Sequence, residues 1–330
     1  MEMLKDWTFN NSVSGPRTRA LSKAAQLPES DSNDETQGPS SRMPLYGATG
    51  PRRWVQRGVF SLLRSAALIN GIALAIIVGF LLYNGWSAIN WTFLSQVPTD
   101  SMTKGGILPC IVGTFLLSFG AMLVAFPWGI ASAIYLHEYA RPGPALRVIR
   151  LGISNLAGVP SVVFGLFGLA FFVTWCDLGV SILSGVLTLG VLVLPVIIGT
   201  AEEALRAVPA TYREASLALG STKWQTIYRV VLPAALPGML TGSILGISRA
   251  AGETAAIMFT AAVFFTRHLP GSPFDPVMAL PYHIYVLATA GTNIEATRPL
   301  QYGSALVLVA LVFGMNLIAI YCRARMQRAR

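Results

Sequence analysis

Six runs of mostly apolar residues, near 66–83, 109–136, 151–174, 181–200, 236–265 and 304–322, set the terms on which this chain can fold. A helix needs about 20 such residues to cross the hydrocarbon core of a bilayer. Runs beyond that minimum permit tilt, or a kink at Pro127 or Pro160. The alternating pattern of a membrane β-barrel is absent. Only 12% of the 330 residues are charged and 53% are apolar, where soluble domains carry about a quarter charged. The expected fold is an all-α polytopic membrane protein with six transmembrane helices.

The net charge of +9 raises nucleic acid or membrane as a partner, and its placement separates the two. With the amino terminus in the cytoplasm, Lys and Arg number four in 51–65, three in 137–150, four in 201–235 and four in 322–330. The opposite side holds only Lys104, Arg267 and Arg298. The positive-inside rule accepts this topology and rejects its inverse. The basic excess thus reports orientation in a membrane lipid environment, with both termini cytoplasmic. No aromatic-basic stacking platform for nucleic acid occurs.

Residues 1–50 are rich in Ser, Asn, Asp and Pro and are expected to form a disordered cytoplasmic tail. No early apolar stretch with a cleavage site precedes the first run, which is expected to stay in the mature protein. Cys110, Cys176 and Cys322 show no metal spacing. A Cys110–Cys176 disulfide is conceivable near the outer face, and inert small hydrophobes are the favoured reading. Trp86 and Trp91, in the outer segment 84–106, are placed as interfacial anchors. A second outer loop, 267–303, contains Pro270, Pro276, Pro281 and Pro299.

The inner loop 201–235 is long enough for two short helices with a turn at Gly220. Pro209 can open the first, Gly220 suits a left-handed helix end, and Ser221 or Thr222 can cap the second. Trp224, Ile227, Tyr228 and Val231 fall at helical spacing on one face. Periodicity leaves two readings level: a helix pair lying in the membrane interface, or a knob that docks into the groove of a soluble partner.

Within Leu236 to Phe265, Arg249 and Glu253 are the only charges. A mid-bilayer charge costs about 2.5–3.5 kcal/mol on insertion scales. On one helix their spacing would let them partly neutralise each other. They are then either a structural pair or the lining of a polar path. Glycines 242, 246 and 252 are expected to let neighbouring backbones approach. Glu202, Glu203 and Arg206 read as a solvated face, and His137 as a helix-end residue satisfied by backbone or water. His268 and His283, in the outer loop, have no assigned role.

"EASLALGSTKWQTIYRVVLP" resembles the signature loop of binding-protein-dependent ABC permeases, through Glu214, Ala215, Ser216, Gly220, Val230, Leu232 and Pro233. Ser216 stands where alanine is usual, and Val230 where isoleucine is. "GGILPCIVGTFLLSF", "GIASAIYLHEYA", "GVPSVVFGLFGLAFFV", "TAEEALRAVPATYREAS" and "SRAAGETAAIMFTA" are similar to PstA-type permease subunits of phosphate transporters, over about Gly105 to Ala324.

The resemblance implies a MetI-like permease core over 105–324. A first transmembrane helix and outer loop (51–104) precede it, and a basic C-terminus (325–330) follows. It implies an importer of inorganic phosphate in the bacterial cytoplasmic (inner) membrane, with Arg249 and Glu253 on the substrate pathway. It implies that Glu214, Ala215, Gly220, Leu232 and Pro233 couple to a cytoplasmic ATPase dimer, Glu214 by polar contact and Gly220 by allowing the turn. A homologous PstC-type permease and an extracytoplasmic phosphate-binding protein complete the set. ATP and magnesium would sit on the ATPase and no cofactor on this chain, which has no G-x-x-x-x-G-K-[ST] loop and no zincin or G-x-S-x-G motif. The alternatives are a permease for sulfate, molybdate or phosphonate, an ion-driven secondary transporter, and a membrane scaffold that senses phosphate.

Overall fold

The computed structural model describes residues 50–99, 104–266, 268–290 and 294–328. The expected tail before Gly50, Arg267 and the last two residues of the basic terminus lie outside the described residues. The chain divides into two units, Met1–Ser65 and Ala66–Arg330. In the first, the described residues are the opening turns of helix α1 (Gly50–Gly85). The second holds everything else, and the description that follows is of that unit.

After α1 come a short helix α2 (Trp91–Ser95) and a two-stranded antiparallel hairpin, β1 (Pro98–Thr99) with β2 (Lys104–Gly105). Trp86 and Trp91 are exposed, as anchors must be. Helix α3 (Leu108–Ile134) runs unbroken through Pro127 and ends in a π-turn, Tyr135–Tyr139. Helix α4 (Pro144–Leu156) follows, then α5 (Ser161–Gly168) with a π-helical continuation to Trp175. Helix α6 (Ile182–Arg206) is the central element, packed against α3, α5 and α9 (Leu232–Ala251). Between α6 and α9 stand α7 (Ala210–Ala218) and α8 (Lys223–Thr226); beyond α9 are α10 (Ile257–Thr260), α11 (Leu280–Thr289) and α12 (Ile294–Arg328).

Among the described residues five helices are long and apolar enough to cross a membrane, and the broken pair of α4 with α5 and its continuation makes a sixth where it is counted as one span. The expected single span 151–174 is therefore corrected. The two pieces meet at 100°, far more than a kink. Pro160 supplies no backbone N–H and disfavours helical geometry at Val159. Gly158 and Val159 instead close α4 by bonding back to Asn155 and Leu156. Pro160, extended at ψ 139°, becomes the residue that precedes α5.

The expected span 236–265 is corrected at both ends. Thr222 caps the helix that begins at Lys223, in a reciprocal pair with Gln225, and a π-turn, Ile227–Val231, carries α8 into α9 without a break. The second short helix of the inner loop is thus the first turns of span five. At the far end α9 stops at Ala251, and 252–280 is largely irregular yet buried at Ala256, Ile257, Thr260–Ala262 and Val277–Leu280. Irregular backbone at membrane depth is tolerated only where protein encloses it, and here the enclosure is specific. The first amides of α6 lack partners within their own helix. Ser181, Ile182 and Leu183 N–H donate to the carbonyls of Thr260 (3.0 Å), Asp275 (2.9 Å) and Pro273 (2.9 Å). Thr114 Oγ1 on α3 accepts from Leu280 N–H at 2.8 Å. Room for this segment comes from missing side chains: a Cβ at Gly113 would strike the Met278 carbonyl, and one at Gly165 the Ala255 carbonyl.

Gly242 lets α9 close onto α6, where a Cβ would be driven into Thr200 Oγ1; Gly246 meets Met122 and Ile197 less tightly. Gly252 meets only its own helix at Ser248, so the expected role in close approach does not extend to it. The turn at Gly220 is as the sequence requires. Gly220 has φ 82°, and its N–H and that of Ser221 bond back to Leu217 and Ser216, the doubled closure of a Schellman end.

Two outcomes follow for stability, read on the detergent-solubilised protein. Gly242→Ala should destabilise by about 1–3 kcal/mol through overpacking, and Thr200→Ala should reverse part of it, since it removes the hydroxyl and leaves the Thr200 Cβ in the way. Gly113→Ala, blocked by backbone, should have no such rescue; differential melting temperatures check both. Gly220→Ala should cost about 1 kcal/mol at the turn, read as roughly fivefold faster amide exchange over 215–222. Gly220→Asn should cost less.

Candidate functional site

Arg249 lies in the last turn of α9, where its positive charge complements the carbonyl end of the helix. Glu253 lies past the helix end, its N–H bonded to the Ala250 carbonyl at 3.3 Å. The two are therefore not on one helical face, and the expected mutual neutralisation is corrected: no ion pair joins them among the described residues. Both side chains are half-buried, and neither has a side-chain hydrogen bond among the described residues. They flank the point where span five breaks. Beside Arg249, Ser248 Oγ and Asn316 of α12 exchange hydrogen bonds (Asn316 Nδ2 to Ser248 Oγ, 2.8 Å), a polar link between spans five and six. A guanidinium left unpaired keeps up to five donors available to an oxyanion.

At the opposite end of α9, α7 presents Glu214 and Ala215 to the exterior, and Gly220 is exposed on the turn. Leu232 and Pro233 are placed differently. Pro233 sits in the first turn of α9, and Leu232 packs on a core of Ala133, Ala201, Leu205, Val231 and Met239. The structure leaves Glu214, Ala215 and Gly220 exposed on α7 and its closing turn and the Leu-Pro pair half-buried at the start of α9. Exposed apolar side chains near them, Tyr212, Leu217, Leu219, Trp224 and Tyr228, were not singled out as a group by sequence. Leu219 is 87% exposed, more than almost any other large apolar residue of the chain. The expected single face of Trp224, Ile227, Tyr228 and Val231 is divided. Trp224 and Tyr228 stack outside, and Ile227 and Val231 are buried. The π-turn that starts at Ile227 shifts the register after the first helical turn.

Ser216, the departure from the usual alanine, has its own partner: it is buried, and its hydroxyl bonds Thr226 Oγ1 at 3.0 Å, tying α7 to α8. A second tie was not anticipated. Arg213 donates to Glu138 Oε1 from Nη2 (2.8 Å) and Nε (3.2 Å). The same guanidinium donates to the carbonyls of Leu205 (3.0 Å) and Val208 (2.9 Å), which close the end of α6. Lys223 Nζ donates to the Glu138 carbonyl and lies 4.8 Å from the centre of the Tyr139 ring. Arg150 of α4 reaches the Leu136 carbonyl (3.3 Å) and Glu202 of α6 (3.2 Å). Sequence offered one signal here, a glutamate closing an apolar run at "YLHEYA", but its partners lie far along the chain.

His137 is satisfied by Glu138 Oε1 at 3.0 Å rather than by backbone or water. Glu202 is paired, so the solvated-face reading holds only for Glu203 and Arg206, which are exposed. His283 is buried on α11, its Nδ1 without a partner, while His268 stays exposed. The cysteines are free, Cys110 buried and Cys176 and Cys322 exposed. Among the described residues no cluster of His, Cys, Asp or Glu is arranged to hold a metal ion.

Residues 125–328 match the family model described as "Binding-protein-dependent transport system inner membrane component". "Probable ABC transporter permease protein YqgI" of Bacillus subtilis is 35% identical over 263 residues, covering 75% of this chain and 90% of that protein. "Phosphate transport system permease protein PstA" of Mycobacterium leprae is 38% identical over 229 residues, covering 69% and 73%. Among solved structures, an inward-facing MetNI methionine ABC transporter aligns with TM-score 0.51 at 20% identity, covering 67% of this chain and 94% of that one. A bacterial alginate ABC transporter, in complex with a pentasaccharide-bound periplasmic protein, aligns with TM-score 0.57 at 14% identity, covering 84% and 96%. These two likenesses are of fold. The chain belongs to the binding-protein-dependent transport system inner membrane components, the multi-pass permease subunits of ABC transporters.

Proposed function

We propose that this chain is the PstA-type permease subunit of a phosphate importer in a bacterial cytoplasmic membrane, with its basic loops and both termini on the cytoplasmic side. The observation that carries the reading is its similarity to relatives named as phosphate transport permeases, such as those of M. leprae and, at 36% identity, M. tuberculosis. It is supported by a half-buried arginine, Arg249, that no acidic side chain neutralises among the described residues.

A homologous PstC-type chain completes the pathway, and an extracytoplasmic binding protein delivers the anion. A cytoplasmic ATPase dimer, holding ATP and magnesium, seats on α7 and the Gly220 turn. Glu214 offers that ATPase a polar contact, and the exposed Leu219, Trp224 and Tyr228 give it apolar surface to cover. Arg249 greets the passing oxyanion where span five breaks. Glu253, four residues on, competes for the same guanidinium as gating brings the break together, so phosphate is held briefly and released.

The test is ATP-dependent phosphate entry into vesicles holding this chain, its partner permease, the ATPase and the binding protein. Arg249→Gln should lower entry at least tenfold with the complex intact, and Arg249→Lys less, since the ammonium keeps the charge but not the fork of donors. Glu253→Gln should lower turnover while tightening apparent phosphate affinity. Unchanged entry in Arg249→Gln would make the arginine structural. Sulfate, molybdate and phosphonate as competitors decide the anion.

A further inference from the structure

Helix α7, on which the proposed ATPase seat depends, has almost no apolar footing. Its one buried residue is Ser216. A helix held this way cannot pass a push to the bundle through packed side chains, so displacement must travel through polar ties. Two are present. Ser216 with Thr226 leads to span five, which α8 and α9 already continue in one piece. Arg213 with Glu138 leads elsewhere, to the last turn of span two. Both partners of this second tie are largely enclosed, with 20% and 10% of their side chains exposed. An ion pair in that setting is hard to break, because parting it strands a charge away from water.

The receiving element is also unusual. Residues Tyr135–Tyr139 form a π-turn closed by Ala140 N–H on the Tyr135 carbonyl (2.8 Å), a geometry that is frequent at working parts of proteins. His137 and the carboxylate of Glu138 meet within it, and Lys223 and Arg150 fasten its carbonyls to spans five and three.

We propose that Glu138 is a positioning residue of the transport cycle, the point at which motion of α7 is handed through Arg213 to span two. This rests on the reading of α7 as the ATPase seat. Span two lines the centre of the bundle against α6 and α9, so one docking helix would move spans two and five together, through two unlike joints: a hydroxyl pair onto the continuous helix of span five and an ion pair for span two.

The experiment uses the reconstituted four-component complex. Glu138→Ala and Arg213→Ala should each leave assembly and ATP hydrolysis within about twofold of wild type and lower phosphate entry about tenfold or more. The number of ATP consumed per phosphate then rises, which a loss of folded complex would not cause. The double variant should be no worse than either single, as expected for two ends of one link. Glu138→Asp should recover part of the coupling. Hydrolysis and entry falling in proportion, effects that multiply in the double variant, or entry unchanged would each overturn the proposal. A second readout needs no phosphate: ATPase docking should slow amide exchange over 135–140 in wild type and leave it unchanged in Glu138→Ala. Equal slowing in both overturns the pivot. A wild-type complex that shows the slowing yet carries no phosphate overturns the functional reading and leaves the pivot standing.

Discussion

Every backbone amide and carbonyl at membrane depth must find a partner inside the protein, and this rule governs the most irregular part of the chain. Segment 252–280 leaves the helix of span five and yet is buried in the bundle at 256–257, 260–262 and 277–280. It is sustained by an exchange between two sets of groups that would otherwise be unmet. The first amides of α6 have no partner in their own helix, and carbonyls of residues 260, 273 and 275 have none in theirs; each satisfies the other. The hydroxyl of Thr114 adds a further acceptor for the Leu280 amide. The missing Cβ atoms of Gly113 and Gly165 then admit the segment at van der Waals distance. Without the broken span five, Arg249 and Glu253 would sit on continuous helix and oppose each other. With it, they stand on two different local geometries at one break.

At the basic end the organising group is a single carboxylate oxygen. Glu138 Oε1 accepts from both Arg213 and His137, and Arg213 in turn closes the carbonyl end of α6. The ends of spans two and four and helix α7 thereby meet on one guanidinium. The arrangement uses what arginine has and lysine lacks, a planar fork whose several donors serve different acceptors at once. Lys223, with its compact ammonium, is placed instead over the Tyr139 ring, where a point charge suffices.

Much of this was legible in the residues. The signature loop located α7 and the exposed turn, because a left-handed helix end asks for glycine and Gly220 supplies it. Ser221 and Thr222 were both candidate caps for the second helix, and the structure selects Thr222, with Gln225 completing a capping box. The bent third span was half legible: Pro160 marked the place, but a proline in the sequence does not say whether a helix tilts or turns through 100°. The extent of span five was not legible, since residues 253–265 are apolar enough to pass for helix. Nor was the Glu138–Arg213 pair, whose members are 75 residues apart, and nothing in the local pattern around either residue names the other.

The sequence by itself determined the class of the molecule, the rough positions of its apolar helices and the family to which its signature loop points. These follow from transfer free energies of side chains and from local backbone preferences, which are properties of short stretches. Only the tertiary structure decided where span five stops, which charges are paired and which are left free, and which residues of the signature loop face outward. Those depend on whether distant groups arrive to satisfy a carbonyl, fill the space above a glycine or meet a carboxylate, and no window along the chain contains both partners.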